Sequence, residues 1–209
     1  GNIVIDGFSV NHQYSKSVDF EISIQNLLKS FDVPVTYFSL LRPIHELQIA
    51  ILATSLNDRQ LRAIVSCNHG TKTGIWCLNC AKCAFVVLVM SAADPEAAAK
   101  IWNKKDVINE PGLYRYLAEL LDESLQKPLE CVGTLEECRL AAYIILNKHS
   151  DILNEKTKKL FEMYTSKKIS HSSLKLLSAT EKFYGPTEYF GIVGSIKDKL
   201  DPAKLTRYL

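Results

Sequence analysis

Four of the six cysteines of this chain lie within seventeen residues, in the stretch "SCNHGTKTGIWCLNCAKCAF". Their spacing is C-x9-C-x2-C-x2-C. Two consecutive C-x2-C steps bring three thiolates to one ion, and a fourth thiolate arriving from a preceding strand completes a tetrahedron. The spacing therefore predicts a closed structural zinc site with the ligands Cys67, Cys77, Cys80 and Cys83.

Other interpretations of the cysteine stretch remain open. His69 lies two residues after Cys67 and is able to replace one ligand, although an exposed flanking histidine is the commoner case. Iron–sulfur clusters use similar spacings, so the existence of a metal is better defined than its identity. Free or redox-active thiols are the third interpretation. Cys131 and Cys138 stand apart and are expected to be small core residues.

Composition favours a metal over disulfides. The chain of 209 residues is 47% apolar and 23% charged, which is enough to bury a core without cross-links. The sequence shows no signal-peptide pattern, and its longest apolar run, residues 84–93, is about half of what a membrane helix needs. These features predict a cytoplasmic, reducing location and no membrane partner. The net charge of +2 argues against a broad nucleic-acid surface.

Strand-like and helical patterns alternate before the cysteines. The runs "NIVIDGFSV", "PVTYFSL" and "LRAIVSC" are apolar or β-branched and are expected to be strands. A helix is predicted to follow an N-cap at Ser17, and another to begin near Pro43. This alternation predicts an α/β fold with a parallel sheet.

After the cysteines the patterns are helical. "CAFVVLVMSAA" is apolar on every side and predicts a buried helix. Asp94 and Pro95 are expected to open the next helix, and Thr134 with Glu137 forms a capping box. We expect residues 1–147 to form one catalytic-type domain and residues 148–209 a helical C-terminal appendage. The chain starts at Gly1 on a strand-like run. We therefore expect either that further sequence belongs upstream of Gly1, or that a leader was removed or the expressed segment was chosen to start there.

Four ordered blocks resemble a known enzyme family. They are "NHQYSKS", "YFSLLRPIHELQIA", "SCN" with "WCLNCAKCAFV", and "KPLECVGTLEE". Together they resemble the UDP-N-acetylmuramoyl-L-alanyl-L-glutamate epimerases of peptidoglycan synthesis, over roughly residues 8–145. The cysteine block alone is also similar to the zinc-binding element of 7-cyano-7-deazaguanine synthases. The resemblance implies a partial parallel sheet of the PP-loop ATP pyrophosphatase type, with a four-cysteine metal loop and a mostly helical C-terminal part.

The resemblance also implies a reaction. ATP with Mg²⁺ adenylates the α-carboxylate of the terminal L-glutamate of UDP-MurNAc-L-Ala-L-Glu. The acyl-adenylate makes the Cα proton more acidic, one group removes it, and another returns it on the opposite face to give D-glutamate. Such chemistry needs cations for phosphates and a pair of proton-transfer groups.

The family blocks suggest which residues take these roles. The proton-transfer candidates are His12, Glu46 and Cys131, of which Cys131 is more simply a buried structural cysteine. The candidates for binding substrate or nucleotide are Tyr14, Lys16, Arg42 and Lys82. For each of them a solvated surface residue or an ordinary ion pair is the alternative. Arg42 is expected to be a site residue, because an arginine just before a helix-opening proline can hold an anion beside free backbone N–H groups.

One feature departs from the family pattern. The chain has nine glycines, no G-G pair and no S-G-G-x-D-S loop to hold pyrophosphate. We therefore expect the chain to be the C-terminal half of the enzyme, inactive alone, with a missing N-terminal half that carries the phosphate loop as its partner. The alternative is a non-catalytic, zinc-stabilised scaffold or interaction subunit derived from a PP-loop enzyme.

Overall fold

The fold is mainly helical in the part of the chain that can be described. The computed structural model describes residues 2–11, 13–70, 72–128, 130–165, 176–177 and 182–200. Two strands, β1 (Asn2–Ile5) and β2 (Phe8–Asn11), precede the helices α1 (Val18–Ser30), α2 (Glu46–Ala53), α3 (Asp58–Arg62), α4 (Ala81–Ala93), α5 (Pro95–Trp102), α6 (Pro111–Leu121), α7 (Leu135–Lys148), α8 (Glu155–Thr165) and α9 (Phe190–Lys199). Short 3-10 turns lie at Tyr14–Lys16, Val107–Asn109, Ser150–Ile152 and Thr187–Tyr189.

The predicted parallel sheet is wrong. Within the described ranges the sheet consists of β1 and β2 alone, which pair antiparallel around the Asp6–Gly7 turn with Asn2 opposite Asn11. A parallel pair requires a crossover connection, whereas these two strands are adjacent in sequence. The PP-loop type of fold expected from the family resemblance is therefore not the fold of the described residues.

The second expected strand, residues 34–40, is an irregular segment. Residues 34–40 form no strand, and the carbonyl of Tyr37 accepts a hydrogen bond from the Gln25 side chain at 2.9 Å instead of from a neighbouring strand. High β-propensity measures how well a segment packs on a sheet, so without a paired strand it does not produce one.

The third expected strand, residues 61–67, begins inside a helix. Asn57 is the N-cap of α3 and forms a capping box with Gln60. The Asn57 side chain accepts from the Gln60 N–H at 3.0 Å, which satisfies one of the free N–H groups of the first turn. α3 then ends at Arg62, and residues 63–67 are irregular.

The predicted helix starts are confirmed where a capping side chain defines them. Ser17 accepts from the Phe20 N–H, Asp94 caps α5 with Pro95 in its first turn, and Thr134 and Glu137 form the capping box of α7. The helix expected at Pro43 begins later, at Glu46.

α4 is the centre of the core, as its uniformly apolar sequence predicts. It packs against α2, α5, α6 and α7, and eleven of its thirteen residues are buried. α7 in turn packs against α8, whose Phe161 is fully buried. No helix among the described residues is long and apolar enough to cross a membrane. The division at residues 147 and 148 stays a prediction.

Candidate functional site

The four clustered cysteines converge in space. Their Sγ atoms all lie within 4.8 Å of one another, and the Sγ atoms of Cys77 and Cys83 are 3.7 Å apart. Sulfurs at the Zn–S distance of about 2.3 Å from one ion lie roughly 3.8 Å from each other in a tetrahedron. The arrangement therefore fits a metal ion held by Cys67, Cys77, Cys80 and Cys83. None of the six cysteines is in a disulfide.

Local backbone geometry directs N–H groups at the sulfurs. Cys67 Sγ accepts from the N–H groups of Gly70 at 3.3 Å and Cys77 at 3.4 Å, and Cys80 Sγ accepts from the Cys83 N–H at 3.4 Å. Gly70 is required here, because a Cβ at this position would lie 1.5 Å from the carbonyl oxygen of Ile75. N–H groups that point at sulfur stabilise thiolates, the form that binds metal.

The thiols differ in their protonation. Burial raises the pKa of Cys67, but hydrogen bonds from Cys77 and Gly70 outweigh it and bring the pKa down to about 6. Burial raises the pKa of Cys80 to about 11, with hydrogen bonds from Cys83 acting to lower it and the Cys77 thiol acting to raise it, and burial and the Cys80 thiol raise the pKa of Cys83. Thiols this close do not all ionise without a compensating cation, and a divalent metal supplies that charge.

His69 lies beside the cysteines without being needed as a ligand. Its Nδ1 is 3.6 Å from Cys77 Sγ, and the residue is exposed. Four sulfurs already form the compact cluster. The structure therefore favours four thiolate ligands with His69 as a neighbour of one of them.

A cleft of about 520 Å³ lies between the region before α1, the start of α2 and the loop before α7. It brings together four of the residues predicted as site residues, namely Lys16, Arg42, Glu46 and Cys131. Tyr14 is 51% exposed and packs on the edge of the Phe20 ring, outside the cleft lining. His12 lies outside the described residues.

Lys16 and Cys131 form the most distinctive contact of the cleft. Lys16 Nζ donates a hydrogen bond to Cys131 Sγ at 2.6 Å. This hydrogen bond lowers the pKa of Cys131; burial acts in the opposite direction, and the charges of Lys16 and Lys82 lower the pKa further. Cys131 is half-buried, so the expectation of a fully buried structural cysteine is wrong. Cys138 is the core residue expected, and burial raises its pKa to about 12.

Arg42 faces the cleft but is already paired. Its guanidinium donates to Glu21 Oε2 at 2.8 Å and to the carbonyl of Lys16 at 2.7 Å. The Glu21 side chain is only 2% exposed, and its Oε1 has no hydrogen-bond partner among the described residues. Arg42 therefore neutralises a buried carboxylate and fixes the backbone next to the Lys16 ammonium.

Two acidic residues, Glu21 and Glu137, line the cleft without having been expected as site residues. No sequence motif indicated Glu21, and Glu137 was expected only as part of a capping box. In the structure Glu137 Oε2 accepts from the Thr134 N–H, while its Oε1 accepts from the Leu47 N–H of α2 at 3.2 Å. One buried carboxylate thus joins the N-termini of two helices on the cleft wall. The capping-box pattern was the available signal, but it does not reveal the second partner.

Lys82 connects the cysteine cluster to the cleft. Its Nζ donates to the carbonyl of Cys131 at 2.5 Å, and its backbone N–H donates to Glu130 Oε2 at 2.7 Å. It is also near the Phe85 ring, with Nζ 5.8 Å from the centroid. Lys82 is not among the residues that line the cleft.

Family comparisons agree with the four sequence blocks. Residues 63–182 match the MurL C-terminal domain, and residues 1–40 match the MurL N-terminal domain. The UDP-N-acetyl-alpha-D-muramoyl-L-alanyl-L-glutamate epimerase of Micromonospora sp. is 36% identical over 150 residues, which are 69% of this chain and 33% of that protein. The proteins of that name from Salinispora tropica and Xanthomonas oryzae are 33% and 32% identical, over 69% and 66% of this chain and 32% of each relative.

The chain spans about a third of the length of the curated relatives it matches. No solved structure matches it. The C-terminal family match alone covers residues 63–182, which is more than half of the 209 residues. The chain therefore belongs to the MurL family.

Proposed function

We propose that this chain is part of an epimerase that converts the terminal L-glutamate of UDP-MurNAc-L-Ala-L-Glu to D-glutamate for peptidoglycan precursor synthesis. Support comes from the names of the relatives and from a cleft with a cation and a thiol in contact. The observation that carries the proposal is the 2.6 Å hydrogen bond from Lys16 Nζ to Cys131 Sγ. An ammonium at this distance favours the thiolate, which is a base suited to a carbon acid at neutral pH.

The proposed reaction starts with activation of the substrate. The α-carboxylate of the glutamate attacks the α-phosphorus of ATP, which is bound with Mg²⁺, and pyrophosphate leaves. The resulting acyl-adenylate has a carbonyl that is no longer anionic, so it can accept the electron pair of the Cα–H bond as an enolate. We place the binding of the phosphates on the part of the relatives that the matched residues do not cover.

Proton transfer then takes place in the cleft. The Cys131 thiolate takes the Cα proton and becomes a thiol, while the electron pair moves to the carbonyl oxygen. Glu46 at the start of α2, or His12, returns a proton to the opposite face of Cα. Water then hydrolyses the anhydride to the D-epimer and AMP. Lys16 favours the ionised form of Cys131 in the resting cleft and offers a positive charge to the enolate oxygen.

The remaining predicted site residues take supporting roles in this proposal. Arg42 positions Lys16 through its hydrogen bond to the Lys16 carbonyl rather than binding an anion with a free guanidinium. Tyr14 is proposed as an outer contact for the substrate because it is exposed beside Lys16. The four cysteines would hold zinc, which would supply local folding energy and no open coordination position for catalysis.

The direct test is product analysis with the complete epimerase that contains this chain. UDP-MurNAc-L-Ala-L-Glu and ATP should yield the D-glutamate epimer with one pyrophosphate and one AMP per turnover. Formation of the epimer without ATP would remove the acyl-adenylate step. Absence of D-glutamate, with the protein folded, would remove the proposed function.

The second candidate function is a non-catalytic scaffold that binds a partner. The observation that favours it is the exposed apolar segment after α1, in which Phe31 is 72% and Val35 59% exposed. The two functions predict different results for a change at Lys16, because a scaffold does not need an ammonium group in contact with a thiol. Full epimerase activity in a Lys16→Met variant would favour the scaffold for this chain.

A further inference from the structure

The loop that carries Cys131 is attached to the first turn of α4. Lys82 donates two hydrogen bonds from that turn to this loop, one to Glu130 and one to Cys131. The Lys82 N–H donates to Glu130 Oε2 at 2.7 Å, and the Lys82 ammonium donates to the Cys131 carbonyl at 2.5 Å. Residues 130–133 are called the Cys131 loop below.

Gly133, at the other end of the Cys131 loop, packs against the next residue after that turn. Gly133 lies so close to Phe85 of α4 that a Cβ at position 133 would be 2.6 Å from a ring carbon. The Glu130 carboxylate also interacts favourably with the free N–H groups and the dipole of the α4 N-terminus. Contacts from both ends of the loop therefore depend on the position of the N-terminal part of α4.

The same turn contains half of the metal ligands. Cys80 is the N-cap of α4 and Cys83 lies in its first turn, so these two ligands flank Lys82. A metal held by both sulfurs fixes the backbone on either side of Lys82. The position of Lys82, and with it the Cys131 carbonyl, then depends on the ligand geometry of Cys80 and Cys83.

We propose that Lys82 is a positioning residue through which metal binding at the cysteine cluster holds Cys131 against Lys16. Lys82 acts on the Cys131 carbonyl rather than on a ligand in the cleft. The inference concerns the thiol's position and does not depend on which reaction the thiol serves. It does rest on a metal at the cysteine cluster, and for that reason metal content is measured separately in the test.

The pKa of the Cys131 thiol depends on the position of the Cys131 loop. Lys16 contacts Cys131 Sγ from the 3-10 turn before α1, and Lys82 adds a positive charge from α4. On the other walls of the cleft, Glu137 belongs to α7 and the Glu21–Arg42 pair joins α1 to the segment before α2. Displacement of the Cys131 loop separates Sγ from Lys16, so the thiol pKa rises toward the ordinary value of about 8.5.

The experiment measures the rate of Cys131 alkylation by iodoacetamide against pH in the full chain, with peptide-resolved mass spectrometry to separate the six cysteines. In Lys82→Met we expect the midpoint of the profile to rise, with unchanged metal content. Loss of the Lys82 charge contributes to that rise, so a second variant is needed to separate charge from position.

In Glu130→Ala, the loss of charge and the displacement of the loop change the Cys131 pKa in opposite directions. Removal of a nearby negative charge alone lowers the pKa of a thiol, whereas displacement of the loop from Lys16 raises it. We expect the midpoint to rise in Glu130→Ala and to stay unchanged in Glu136→Ala, a matched control at an exposed position in the first turn of α7. A lower or unchanged midpoint in Glu130→Ala would overturn the proposal.

Metal removal completes the test. Chelation should raise the Cys131 midpoint of the wild-type chain and produce little further rise in Lys82→Met, because Lys82 is the connection. An equal chelation shift in both proteins would exclude Lys82 as that connection. If the purified chain contained no metal, the metal's part in the inference would be refuted, while the Glu130→Ala result would still decide the role of the contact between the loop and α4.

Discussion

Lys16 and Cys131 are 115 positions apart in sequence and yet make a direct contact in the cleft, at 2.6 Å between Nζ and Sγ. The contact requires the turn before α1 and the loop before α7 to face each other across one cavity. The sequence identified both residues as site candidates through the family blocks. It could not show that they touch, because no local pattern encodes a contact between segments so far apart.

The Lys16 contact predicts a pH effect. The folded-state pKa of Cys131 is depressed, so more thiolate is present at neutral pH than in a free thiol. Lys16→Met removes the main cause, and we expect the midpoint of Cys131 alkylation to move to higher pH. Lys72→Met, at an exposed position of the cysteine loop, is the matched control and should leave the midpoint unchanged. No shift in Lys16→Met would show that the contact does not exist in solution.

Arg42 and Glu21 give a second prediction for single residues. The Glu21 side chain is 2% exposed and the Arg42 side chain 16%, so removal of the arginine leaves a buried carboxylate without its partner. We expect Arg42→Ala to lower the free energy of unfolding by about 3–5 kcal/mol. The measurement is chemical denaturation of the full chain.

The matched control for this pair is a double variant. Glu21→Gln with Arg42→Met removes both charges, and we expect it to be more stable than Arg42→Ala alone. A fully stable Arg42→Ala variant that loses epimerase activity would instead support the original expectation that Arg42 binds an anion with a free guanidinium. The helix-opening proline suggested that role, but the buried partner on α1 could not be inferred from sequence.

At the scale of elements, α4 determines how the metal loop and the cleft are arranged. Its uniformly apolar sequence predicted a buried helix, and the structure confirms this. α4 packs against α2, α5, α6, α7 and the 3-10 turn at Val107–Asn109. Helices that carry their own caps, such as α5 and α7, were predicted well because a capping side chain and its N–H lie within three residues of each other. The expected strands at residues 34–40 and 61–67 were wrong because a strand forms only where another strand pairs with it, as β1 and β2 do within residues 2–11.

A side chain added at Gly133 is expected to disturb the packing between α4 and the loop before α7. A Cβ there would be 2.6 Å from the Phe85 ring, so Gly133→Ala should destabilise the protein by roughly 1–3 kcal/mol. Gly191, in α9, has no atom within 4 Å of an added Cβ. Gly191→Ala should therefore be neutral or stabilise by up to roughly 1 kcal/mol. Equal thermal stabilities of the two variants would contradict this account of the junction.

The four cysteines of the cysteine loop are expected to bind zinc and so to contribute to the stability of the protein. We expect one zinc per chain by elemental analysis, and Cys80→Ser should lose that zinc and several kcal/mol of stability, because metal binding energy is also folding energy. Cys138→Ala is the control, since Cys138 is a core residue outside the cluster and should lose stability while retaining the metal. Zinc retained in Cys80→Ser would remove this residue from the ligand set.

At the scale of the whole molecule, the cleft is built from segments of both family matches. Lys16 lies within the match to the MurL N-terminal domain, and Cys131 within the match to the C-terminal domain. Four of the residues expected from the sequence blocks, Lys16, Arg42, Glu46 and Cys131, line the cleft, and the four cysteines expected from their spacing lie together. The roles of these residues stay predictions. The arrangement of the blocks on a helical scaffold was not predictable, because a parallel sheet and a helical array are both compatible with the same local apolar runs.

The central claim is that Cys131 transfers the Cα proton of the glutamate in this cleft. The measurement is deuterium incorporation at Cα of the glutamate, in D₂O with ATP, by the complete epimerase carrying Cys131→Ser, with pyrophosphate release followed in parallel. We expect pyrophosphate still to be released while deuterium incorporation and D-glutamate formation fall by a factor on the order of 100 or more. Deuterium incorporation at the wild-type rate in the Cys131→Ser enzyme would contradict it.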